Sequence, residues 1–339
     1  MSDLSTTWLG LPLRSPLVVA ASPLSRDPDA IAQAVAAGAG AVVMHSLFEE
    51  QLIHEQMSAH RFIDSRIDMD AETQGIRPGA GAFSVDAEPY LRELKELKHR
   101  VDVPVLASLN GTTPGGWTRY AKRLEDAGAD ALELNLYEVA TSPDESGAAV
   151  EQRQLEVVRS IVAAVKLPVN VKLTSFYASV PAFVRSLEQA GARGVVVFNR
   201  FYQPDIALET LDVDRRLVPS TPAELPLRLH ALALLSPTTK LSLGCTGGVH
   251  SGLDVAKAIL SGAHVVQLAS VLLEHGPGHV AALRDELAGW LDAKGYKSSA
   301  QARGVLDVSS APDAHAWERL NYTRMLNAWR ARDGWRKEP

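Results

Sequence analysis

Residues 127–136 read AGADALELNL, and this stretch decides the fold because its pattern returns three more times along the chain. The four copies are centred on Gly38, Gly128, Gly191 and Gly262, and each is followed by a short apolar run. Glycine readily adopts the left-handed conformation that ends a helix. An apolar run without polar alternation is typical of a strand that is buried on both faces. The pattern therefore predicts repeated helix–strand units and a parallel sheet.

Four further apolar runs complete the series, one at the start of the chain and three that also follow helix-like segments. The eight expected strands, in chain order, are 17–21, 41–46, 104–109, 131–136, 168–173, 194–199, 240–244 and 264–269. Eight strand–helix units in a chain of this size predict a (β/α)8 TIM barrel, with α/β fold class. An open, doubly wound sheet is the alternative.

Composition and charge exclude several classes of partner and of structural feature. The net charge of −6 disfavours a nucleic acid or an anionic membrane as partner. No apolar run has the roughly 18–20 residues that span a bilayer, and the N-terminus lacks the pattern of a signal peptide. The single cysteine, Cys245, excludes an internal disulfide and an iron–sulfur cluster ligated by cysteines of this chain. The histidines are scattered, so we expect no metal site, and we expect a cytoplasmic enzyme that acts on a small molecule.

Long loops depart from a minimal barrel after the second and sixth strands, at 47–86 and 200–220, and a shorter one follows the fourth strand at 137–147. All three follow the carboxyl ends of strands, where barrel enzymes carry their active sites. They are expected to form a lid or a substrate wall, or else surface and subunit contacts.

The C-terminal residues predict an addition to the barrel. We expect a barrel over 1–305 and a helical extension over 306–339, with Asp313 capping a helix that runs to about Arg332. Four apolar side chains of that helix share one face at helical spacing: Tyr322, Met325, Leu326 and Trp329. The extension is expected to pack on the barrel or on a second subunit.

Lys172 is the leading candidate for chemistry. Strand alternation puts it on the same face as Asn170, and it likewise puts Glu133 on one face with Asn135. Lysine is rarely buried without a partner. Lys172 can serve as a cation facing a developing anion, as a Schiff-base nucleophile, or as the structural partner of Glu133.

Two further patterns indicate ligand binding at the same end of the barrel. Gly247 and Gly248 follow the seventh strand, where barrels commonly bind phosphate, although a tight turn is the alternative. Asn135 and Asn199 end the fourth and sixth strands, and their amides suit the edge of a heterocycle or a loop backbone.

These residues resemble the dihydroorotate dehydrogenases, a family of FMN-dependent (β/α)8 barrels, over roughly residues 8–305. The motifs that carry the resemblance are Ser15-Pro16-Leu17 with Ala21-Ser22, Glu133-Leu134-Asn135-Leu136, Val171-Lys172-Leu173, Asn199, Thr246-Gly247-Gly248 with Ser251-Gly252-x-Asp254, Gly262-Ala263 through Gln267, and Gly295-Tyr296-Lys297-Ser298.

The resemblance implies an FMN cofactor and assigns roles to strand-end residues. Lys172 would be catalytic and would face the N1–C2=O edge of the flavin. The implied cofactor-binding residues are Ala21, Ser22, Ser46, Asn110, Asn135, Lys172, Asn199, Gly247, Gly248, Ala269 and Ser270, and the implied substrate-binding residues are His45, Asn135 and Asn199. A homodimer is a further expectation from the family. Because the chain has no cluster-binding cysteines, the second electron carrier is expected to be soluble or on a partner chain.

Two positions depart from the family pattern. Where the family has a catalytic cysteine or serine shortly after the fourth-strand asparagine, this chain reads Tyr137-Glu138-Val139, so Glu138 is the candidate general base. A carboxylate is a weak base for a carbon acid unless it is strongly desolvated. His45 stands where the family has a lysine. The positions implied to bind flavin thus match the family pattern, whereas the positions implied to act on the substrate differ from it.

The sequence predicts an oxidoreductase that transfers hydride between a small heterocyclic or carbonyl-bearing substrate and flavin N5. Dihydroorotate is the best named substrate, with an unsaturated carbonyl compound or another pyrimidine as alternatives. A Schiff-base lyase or aldolase that uses Lys172, and a flavin-binding redox subunit without its own turnover, are the competing hypotheses.

Overall fold

The computed structural model describes residues 2–48, 88–110, 114–200, 204–214, 216–313, 315–319 and 321–328. Twelve strands are assigned within these ranges: β1 (Thr6–Trp8), β2 (Leu11–Leu13), β3 (Leu17–Val19), β4 (Ala41–Phe48), β5 (Val105–Asn110), β6 (Ala131–Asn135), β7 (Val169–Lys172), β8 (Gly194–Val197), β9 (Asp205–Ala207), β10 (Asp212–Asp214), β11 (Ser242–Thr246) and β12 (Val265–Leu268).

Eight of these strands close into a parallel barrel in the order β3-β4-β5-β6-β7-β8-β11-β12. They coincide, with small shifts of their ends, with the eight strands expected from the apolar runs, so the (β/α)8 prediction is confirmed. The strands are almost wholly buried because helices cover the outside of the ring and side chains fill its inside.

Helices connect and cover the strands. The α-helices of the described ranges are α1 (Pro28–Ala36), α2 (Glu88–Arg100), α3 (Pro114–Asp126), α4 (Gly147–Ala164), α5 (Val180–Gln189), α6 (Leu225–Leu235), α7 (Gly252–Leu260), α8 (Ser270–His275), α9 (Val280–Ala293), α10 (Ser299–Ala302) and α11 (Asn321–Ala328). No helix of the described ranges is both long enough and apolar enough to cross a membrane.

The amino end of the barrel is closed by an N-terminal hairpin. Strands β1 and β2 pair in antiparallel fashion, and Trp8 and Leu13 join an apolar cluster inside the ring with inward-facing side chains such as Val43 and Val196. A side chain at Gly194 would clash with Leu9 of this plug. The amino half of the lumen is therefore filled mainly by apolar side chains, with the Ser242 hydroxyl accepting a hydrogen bond from the Leu9 N–H of the plug.

The long loops and the C-terminal segment are only partly within the described residues. Most of the loop 47–86 lies outside them, while β9 and β10 form a short antiparallel hairpin in the loop 200–220. The described part of the C-terminal helix begins at Asn321, so the expected cap at Asp313 is wrong. The Asp313 carboxylate instead accepts hydrogen bonds from the His315 N–H and the Arg324 guanidinium.

The predicted end of the C-terminal helix and its predicted packing are not tested by the described residues. Tyr322, Met325 and Leu326 are exposed in α11, and Trp329 and the expected end near Arg332 lie outside the described residues. The start of the extension is tied to the barrel, because the Leu306 and Val308 N–H groups donate to the Leu260 and Ala233 carbonyls at 2.9 and 3.1 Å. Trp317 in turn donates its indole N–H to the Leu306 carbonyl at 2.9 Å. Packing of the helix itself against the barrel or a second subunit remains a prediction.

Replacing the plug tryptophan should destabilise the fold. Trp8 is fully buried, so Trp8→Ala is expected to lower the free energy of unfolding by about 3–5 kcal/mol, as for other large-to-small core changes. Chemical denaturation followed by far-UV circular dichroism measures this change. Ile206→Ala, at a side chain that is 70% exposed, is the control and should change stability by less than about 0.5 kcal/mol. Equal effects of both substitutions would contradict the role of the plug.

Candidate active site

A cavity of about 540 Å³ opens at the carboxyl ends of the barrel strands. It brings together ten of the residues predicted from the sequence: Ala21, Ser22, His45, Ser46, Asn110, Asn135, Lys172, Asn199, Ala269 and Ser270. The other lining residues are Pro23, Arg26, Phe48, Glu133, Tyr137, Leu217, Pro219 and Leu273. We call this space the central cavity.

The floor of the central cavity holds a buried ion pair. The Lys172 ammonium lies 3.4 Å from Glu133 Oε1 and 3.1 Å from Gln267 Oε1. The second carboxylate oxygen of Glu133 accepts hydrogen bonds from Asn170 Nδ2 at 3.1 Å and from the Gln267 amide. All four residues are at least 95% buried. The ion pair that the sequence allowed as a structural alternative is present, and Lys172 lines the cavity at the same time.

This cluster follows from strand alternation and barrel closure. Glu133 and Lys172 point into the lumen from the adjacent strands β6 and β7, whereas Gln267 reaches them from β12 across the ring. A buried charge is tolerated when a countercharge and hydrogen bonds satisfy it. The network therefore fixes one ammonium group at the mouth of a closed, dry lumen.

Amide and hydroxyl groups form the wall above the ion pair. Asn199 Nδ2 donates to Asn135 Oδ1 at 2.9 Å, so the two predicted asparagines meet. The hydroxyls of Ser46 and Ser108 lie 2.8 Å apart. The wall thus presents hydrogen-bonding groups of the kind that recognise the polar edge of a ring.

Two polar atoms of the cavity lining are buried and without a hydrogen-bond partner: Ser22 Oγ and His45 Nδ1. Leaving such a group unsatisfied costs about 1–3 kcal/mol. Unsatisfied groups of this kind in a cavity are typical of a site that is completed by a ligand.

His45 differs electrostatically from the lysine of the family. Burial and the nearby charge of Arg26 lower the pKa of the His45 imidazole to about 4. Its Nε2 lies 3.6 Å from Glu93 Oε2, and its ring packs edge-on against Tyr90. His45 is therefore neutral near pH 7 and brings a hydrogen-bonding ring, not a positive charge.

The predicted phosphate turn lies beside the central cavity and is joined to it by Ser220. Gly247 and Gly248 have φ angles of +85° and +78°, and neither lines the cavity directly. The Gly248 N–H donates to Ser220 Oγ at 3.1 Å, and the Ser220 N–H donates to Ser270 Oγ at 2.8 Å. Ser220 therefore connects the glycine turn to Ser270 in the cavity wall.

Arg228 adds positive charge at this turn. Its guanidinium is buried and donates to the Thr246 carbonyl at 3.0 Å and the Glu224 carbonyl at 2.8 Å. A side chain at Gly247 would come within 2.9 Å of Arg228 Nη2. A bare backbone turn next to a buried cation is suited to a phosphate group.

Of the three predicted residues that do not line the central cavity, Gly247 and Gly248 lie in the turn beside it, whereas Glu138 lines a second cavity. Its carboxylate pairs with the Arg153 guanidinium and accepts a hydrogen bond from Gln154 Nε2 at 3.4 Å. Both partners belong to α4, on the outer side of β6. Glu138 lines a second cavity, together with Tyr177 and Phe176, and is not brought to the central cavity.

Sequence reasoning missed Gln267 as a partner of Lys172, Ser220 as the bridge to the glycine turn, and Tyr137 and Arg26 as cavity residues. Gln267 lies on a different strand from Lys172 and Glu133, so alternation within one strand could not group it with them. Ser220 lies 28 residues before Gly248, which is too far for a local sequence pattern. Only Tyr137 carried a local signal, since alternation continued past Asn135 predicts it on the lumen side.

Comparison of the amino-acid sequence with known protein families identifies one family. The profile of the dihydroorotate dehydrogenase family matches residues 3–291. The chain belongs to the dihydroorotate dehydrogenase family. The family expected from the sequence is thereby confirmed, and the chain is an oxidoreductase of dihydroorotate dehydrogenase type that acts on a CH–CH bond.

Individual relatives agree with this assignment. The catalytic subunit of dihydroorotate dehydrogenase B (NAD(+)) from Methanocella arvoryzae is 30% identical over 298 residues, which cover 85% of this chain and 93% of the relative. The chloroplastic dihydropyrimidine dehydrogenase (NADP(+)) from Arabidopsis thaliana is 26% identical and covers 89% of this chain and 76% of its own length.

A solved structure supports the fold. The dihydroorotate dehydrogenase from Eimeria tenella, crystallised with ferulenol, superposes with a TM-score of 0.62 at 16% identity, over 89% of this chain and 88% of that one. At this identity the likeness concerns the barrel alone.

Removing the carboxylate of the buried pair should be costly. Glu133→Ala leaves the Lys172 ammonium buried without a countercharge, and we expect a loss of about 3–5 kcal/mol in the free energy of unfolding. The double variant Glu133→Leu with Lys172→Met replaces both charges by apolar groups and should lie much closer to wild type. Chemical denaturation of the three proteins is the measurement. A double variant as unstable as Glu133→Ala would contradict the pairing.

His45 should make the fold sensitive to acid. Its pKa is about 4 in the folded protein and near 6.5 when unfolded. Between these values the unfolded state binds more protons, so stability falls as the pH falls from about 6.5 toward 4. The slope of the free energy of unfolding against pH reflects the difference in bound protons between the two states, and His45→Gln should lower that difference by up to one proton. Denaturation at about pH 7 and about pH 5 measures this slope. Burial also lowers the pKa of His264 to about 4, so part of the pH dependence should remain in His45→Gln. A slope that is unchanged in His45→Gln would contradict the lowered pKa of His45.

Proposed function

We propose that the chain binds FMN in the central cavity and transfers hydride between the flavin N5 and a small heterocyclic or carbonyl-bearing substrate, with dihydroorotate as the best named candidate. The observation that carries this proposal is the convergence of one buried ammonium and three strand-end amides on one cavity, with a glycine turn connected to it through Ser220. The family match gives the reaction class, and the geometry of the site fits it.

The residues of the site suit the parts of FMN. The turn at Gly247 and Gly248, with Ser220 and Ser270 beside it, would hold the phosphate through backbone N–H and hydroxyl groups. Ser22 Oγ, buried and unpartnered, is available to the cofactor. The remaining cofactor contacts proposed from the family are Ala21, Ser46, Asn110, Asn135, Lys172, Asn199 and Ala269, all of which line the cavity.

Bound FMN supplies a two-electron hydride acceptor or donor. Lys172 supplies a fixed positive charge that stabilises the negative charge developing during hydride transfer, and the Glu133 carboxylate and Gln267 hold this ammonium in place. Asn135 and Asn199 orient each other and present amide groups to substrate. The closed, apolar lower lumen excludes water from beneath the ammonium.

The residues available to bind the substrate are compatible with more than one candidate substrate. The relatives are named for dihydroorotate and for dihydropyrimidine, which both contain a reduced pyrimidine ring. His45 is neutral in this chain, so it is expected to recognise a ring or carbonyl by hydrogen bonding. An unsaturated carbonyl compound or another pyrimidine therefore stays beside dihydroorotate as a candidate.

The Schiff-base alternative finds no support in the setting of Lys172. A nucleophilic lysine needs to lose its proton, which neighbouring cations or an apolar pocket promote. Here the Lys172 nitrogen is held 3.4 Å from the Glu133 carboxylate and 3.1 Å from the Gln267 amide oxygen, and neither a cation nor a purely apolar pocket surrounds it.

The proposal extends to the partners and the cellular setting of the protein. We propose a homodimer, a cytoplasmic location and a separate electron-transfer partner. The exposed apolar side chains Tyr322, Met325 and Leu326 of α11 give the C-terminal extension a surface that a second subunit could cover, and the buried free thiol of Cys245 suits a reducing compartment.

The visible absorption spectrum of the purified protein, with acid release and identification of the pigment, tests the proposal. We expect a flavin spectrum, released FMN, and bleaching by dihydroorotate under anaerobic conditions. A protein that binds FMN but is bleached by no substrate would favour the redox-subunit hypothesis. A colourless protein that also fails to take up added FMN would contradict the proposal.

Gly248→Ala should abolish retention of FMN. The new Cβ would lie 2.6 Å from the Leu225 backbone nitrogen at a φ of +78°, so the turn must move away from Ser220. Gly289→Ala in α9, where no atom lies within 4 Å of the added Cβ, is the matched control and should retain the cofactor. The flavin-to-protein ratio after gel filtration is the measurement. Equal ratios in the two variants would contradict the phosphate assignment.

A further inference from the structure

His250 is a mostly buried imidazole next to the glycine turn, and it has no role in the function proposed above. Its ring nitrogen Nε2 lies 2.7 Å from the Ser220 carbonyl oxygen. Because a carbonyl can only accept, Nε2 carries the proton and donates it. The backbone of His250 is also fixed, since its N–H and that of Ser251 donate to the Asp254 carboxylate at the start of α7, both at 3.2 Å.

Ser220, the residue that His250 holds, is bound at its carbonyl, its N–H and its hydroxyl. The carbonyl accepts from His250, the N–H donates to Ser270 Oγ at 2.8 Å, and the hydroxyl oxygen accepts from the Gly248 N–H at 3.1 Å. Ser220 is only 4% exposed, although it lies in the loop that precedes α6. The contact from His250 therefore ties this loop residue to the start of α7.

The imidazole lies between Ser220 and one side of α8. Its second ring nitrogen, Nδ1, is 3.6 Å from Glu274 Oε2. Glu274 and Ser270 are four residues apart on α8, so they share a side of this helix. His250 thus meets the same side of α8 that presents Ser270 to Ser220.

The hydrogen bonds around Ser220 run in one direction, toward the central cavity. The Gly248 N–H donates to the Ser220 hydroxyl, which in turn donates to Ser270 Oγ at 2.9 Å. Ser270 Oγ also accepts from the Ser220 N–H, so both of its lone pairs are used. In the described ranges the Ser270 hydroxyl proton has no acceptor. Since Ser270 lines the cavity, this proton is left for an acceptor inside it.

This series of donors from Gly248 through Ser220 to Ser270, the donor chain, suits an anionic acceptor. Hydrogen bonds to a charged acceptor are shorter and stronger than those between neutral groups. The buried guanidinium of Arg228 at the same turn adds positive charge. A phosphate therefore gains more from the donor chain than an uncharged hydroxyl group at the same place.

We propose that His250 is a positioning residue for the donor chain and that it sets the preference of the site for a phosphorylated over an unphosphorylated flavin. Without His250, the buried Ser220 carbonyl would lack a donor, and unpaired buried carbonyls are rare in folded proteins. The Ser220 peptide is then expected to turn toward another donor and to leave Ser270. This inference rests on the proposed flavin site and adds the residue that controls its recognition of phosphate.

The test compares flavin binding by the full chain as wild type, His250→Leu, His250→Gln and His99→Leu. Leucine removes the donor to Ser220, whereas the glutamine amide nitrogen can take the place of Nε2 and keep it. His99, an exposed residue of α2, is the matched control for the leucine substitution. Each protein, freed of flavin, is titrated with FMN and with riboflavin, which lacks the phosphate. Quenching of the flavin fluorescence gives the two dissociation constants.

The ratio of the two dissociation constants is the readout, because of the two ligands FMN alone carries the phosphate. We expect His250→Leu to bind FMN about tenfold more weakly than wild type, as for the loss of one hydrogen bond near a charged group. Its affinity for riboflavin should be unchanged. His250→Gln should keep most of the affinity for FMN, and His99→Leu should equal wild type. A merely structural role would weaken the binding of both flavins alike.

A double variant tests whether His250 acts through Ser220. Ser220→Ala removes the hydroxyl between Gly248 and Ser270, so this change should itself weaken the binding of FMN. Residues that act through one network have non-additive effects. Adding His250→Leu to Ser220→Ala should therefore weaken FMN binding by less than it does in the wild-type background. Equal effects in the two backgrounds would contradict an action through Ser220.

The outcomes separate this inference from the function on which it rests. If His250→Leu keeps the wild-type ratio, or binds both flavins equally more weakly, the positioning role is overturned while the flavin site stands. If wild type binds FMN and riboflavin equally, the phosphate assignment is overturned together with this inference. If wild type binds neither flavin, the proposed function itself is overturned. His250→Asn, whose amide ends one bond short of Nε2, replaces His250→Leu if that variant does not fold.

Discussion

The carboxyl half of the barrel depends on one interaction, the buried pair of Lys172 and Glu133. Taking two charges out of water costs several kcal/mol for each ion, and this cost is offset only when geometry and additional hydrogen bonds are good. Asn170 and Gln267 supply those bonds, the latter from the opposite side of the ring. The Gln267 bonds to this pair are possible only in a closed barrel, and the closed barrel thus holds the Lys172 ammonium at the floor of the cavity. The hydrophobic plug around Trp8 completes this arrangement by filling the lumen below.

Much of this architecture could be read from the sequence because its cause is local. Strands buried on both faces must be apolar, and the turns before them close with a left-handed glycine, as the positive φ of Gly38, Gly128, Gly191 and Gly262 shows. Alternation within a strand was sufficient to group Glu133 with Asn135 and Asn170 with Lys172. Local pattern thus predicted the ring of strands and the polar half of its lumen.

The remaining features depend on contacts between distant parts of the chain. Ser220 reaches Gly248 only because the loop after β8 folds back over the glycine turn, which no spacing rule predicts. The direction of Glu138 is set by Arg153 on α4, and its neighbour Tyr137 enters the cavity in its place. The C-terminal helix was predicted to begin after Asp313, but the Asp313 carboxylate accepts from the His315 N–H and the Arg324 guanidinium at a segment of turns over 315–319, and α11 begins only at Asn321.

The site combines a retained half and a changed half. Features that suit a flavin and its phosphate follow the pattern of the dihydroorotate dehydrogenases, whereas the side chains left for substrate are a neutral imidazole at His45 and a phenol at Tyr137. Both changes replace a charged or strongly nucleophilic group by a hydrogen-bonding ring.

The central claim, that Lys172 acts on a flavin bound in the central cavity, is tested most directly by the midpoint potential of the bound flavin in wild type and in Lys172→Met. Loss of a nearby positive charge disfavours the anionic reduced flavin, so the account predicts a lower potential in Lys172→Met. A potential that is the same in both proteins would place the flavin away from Lys172 and contradict the account.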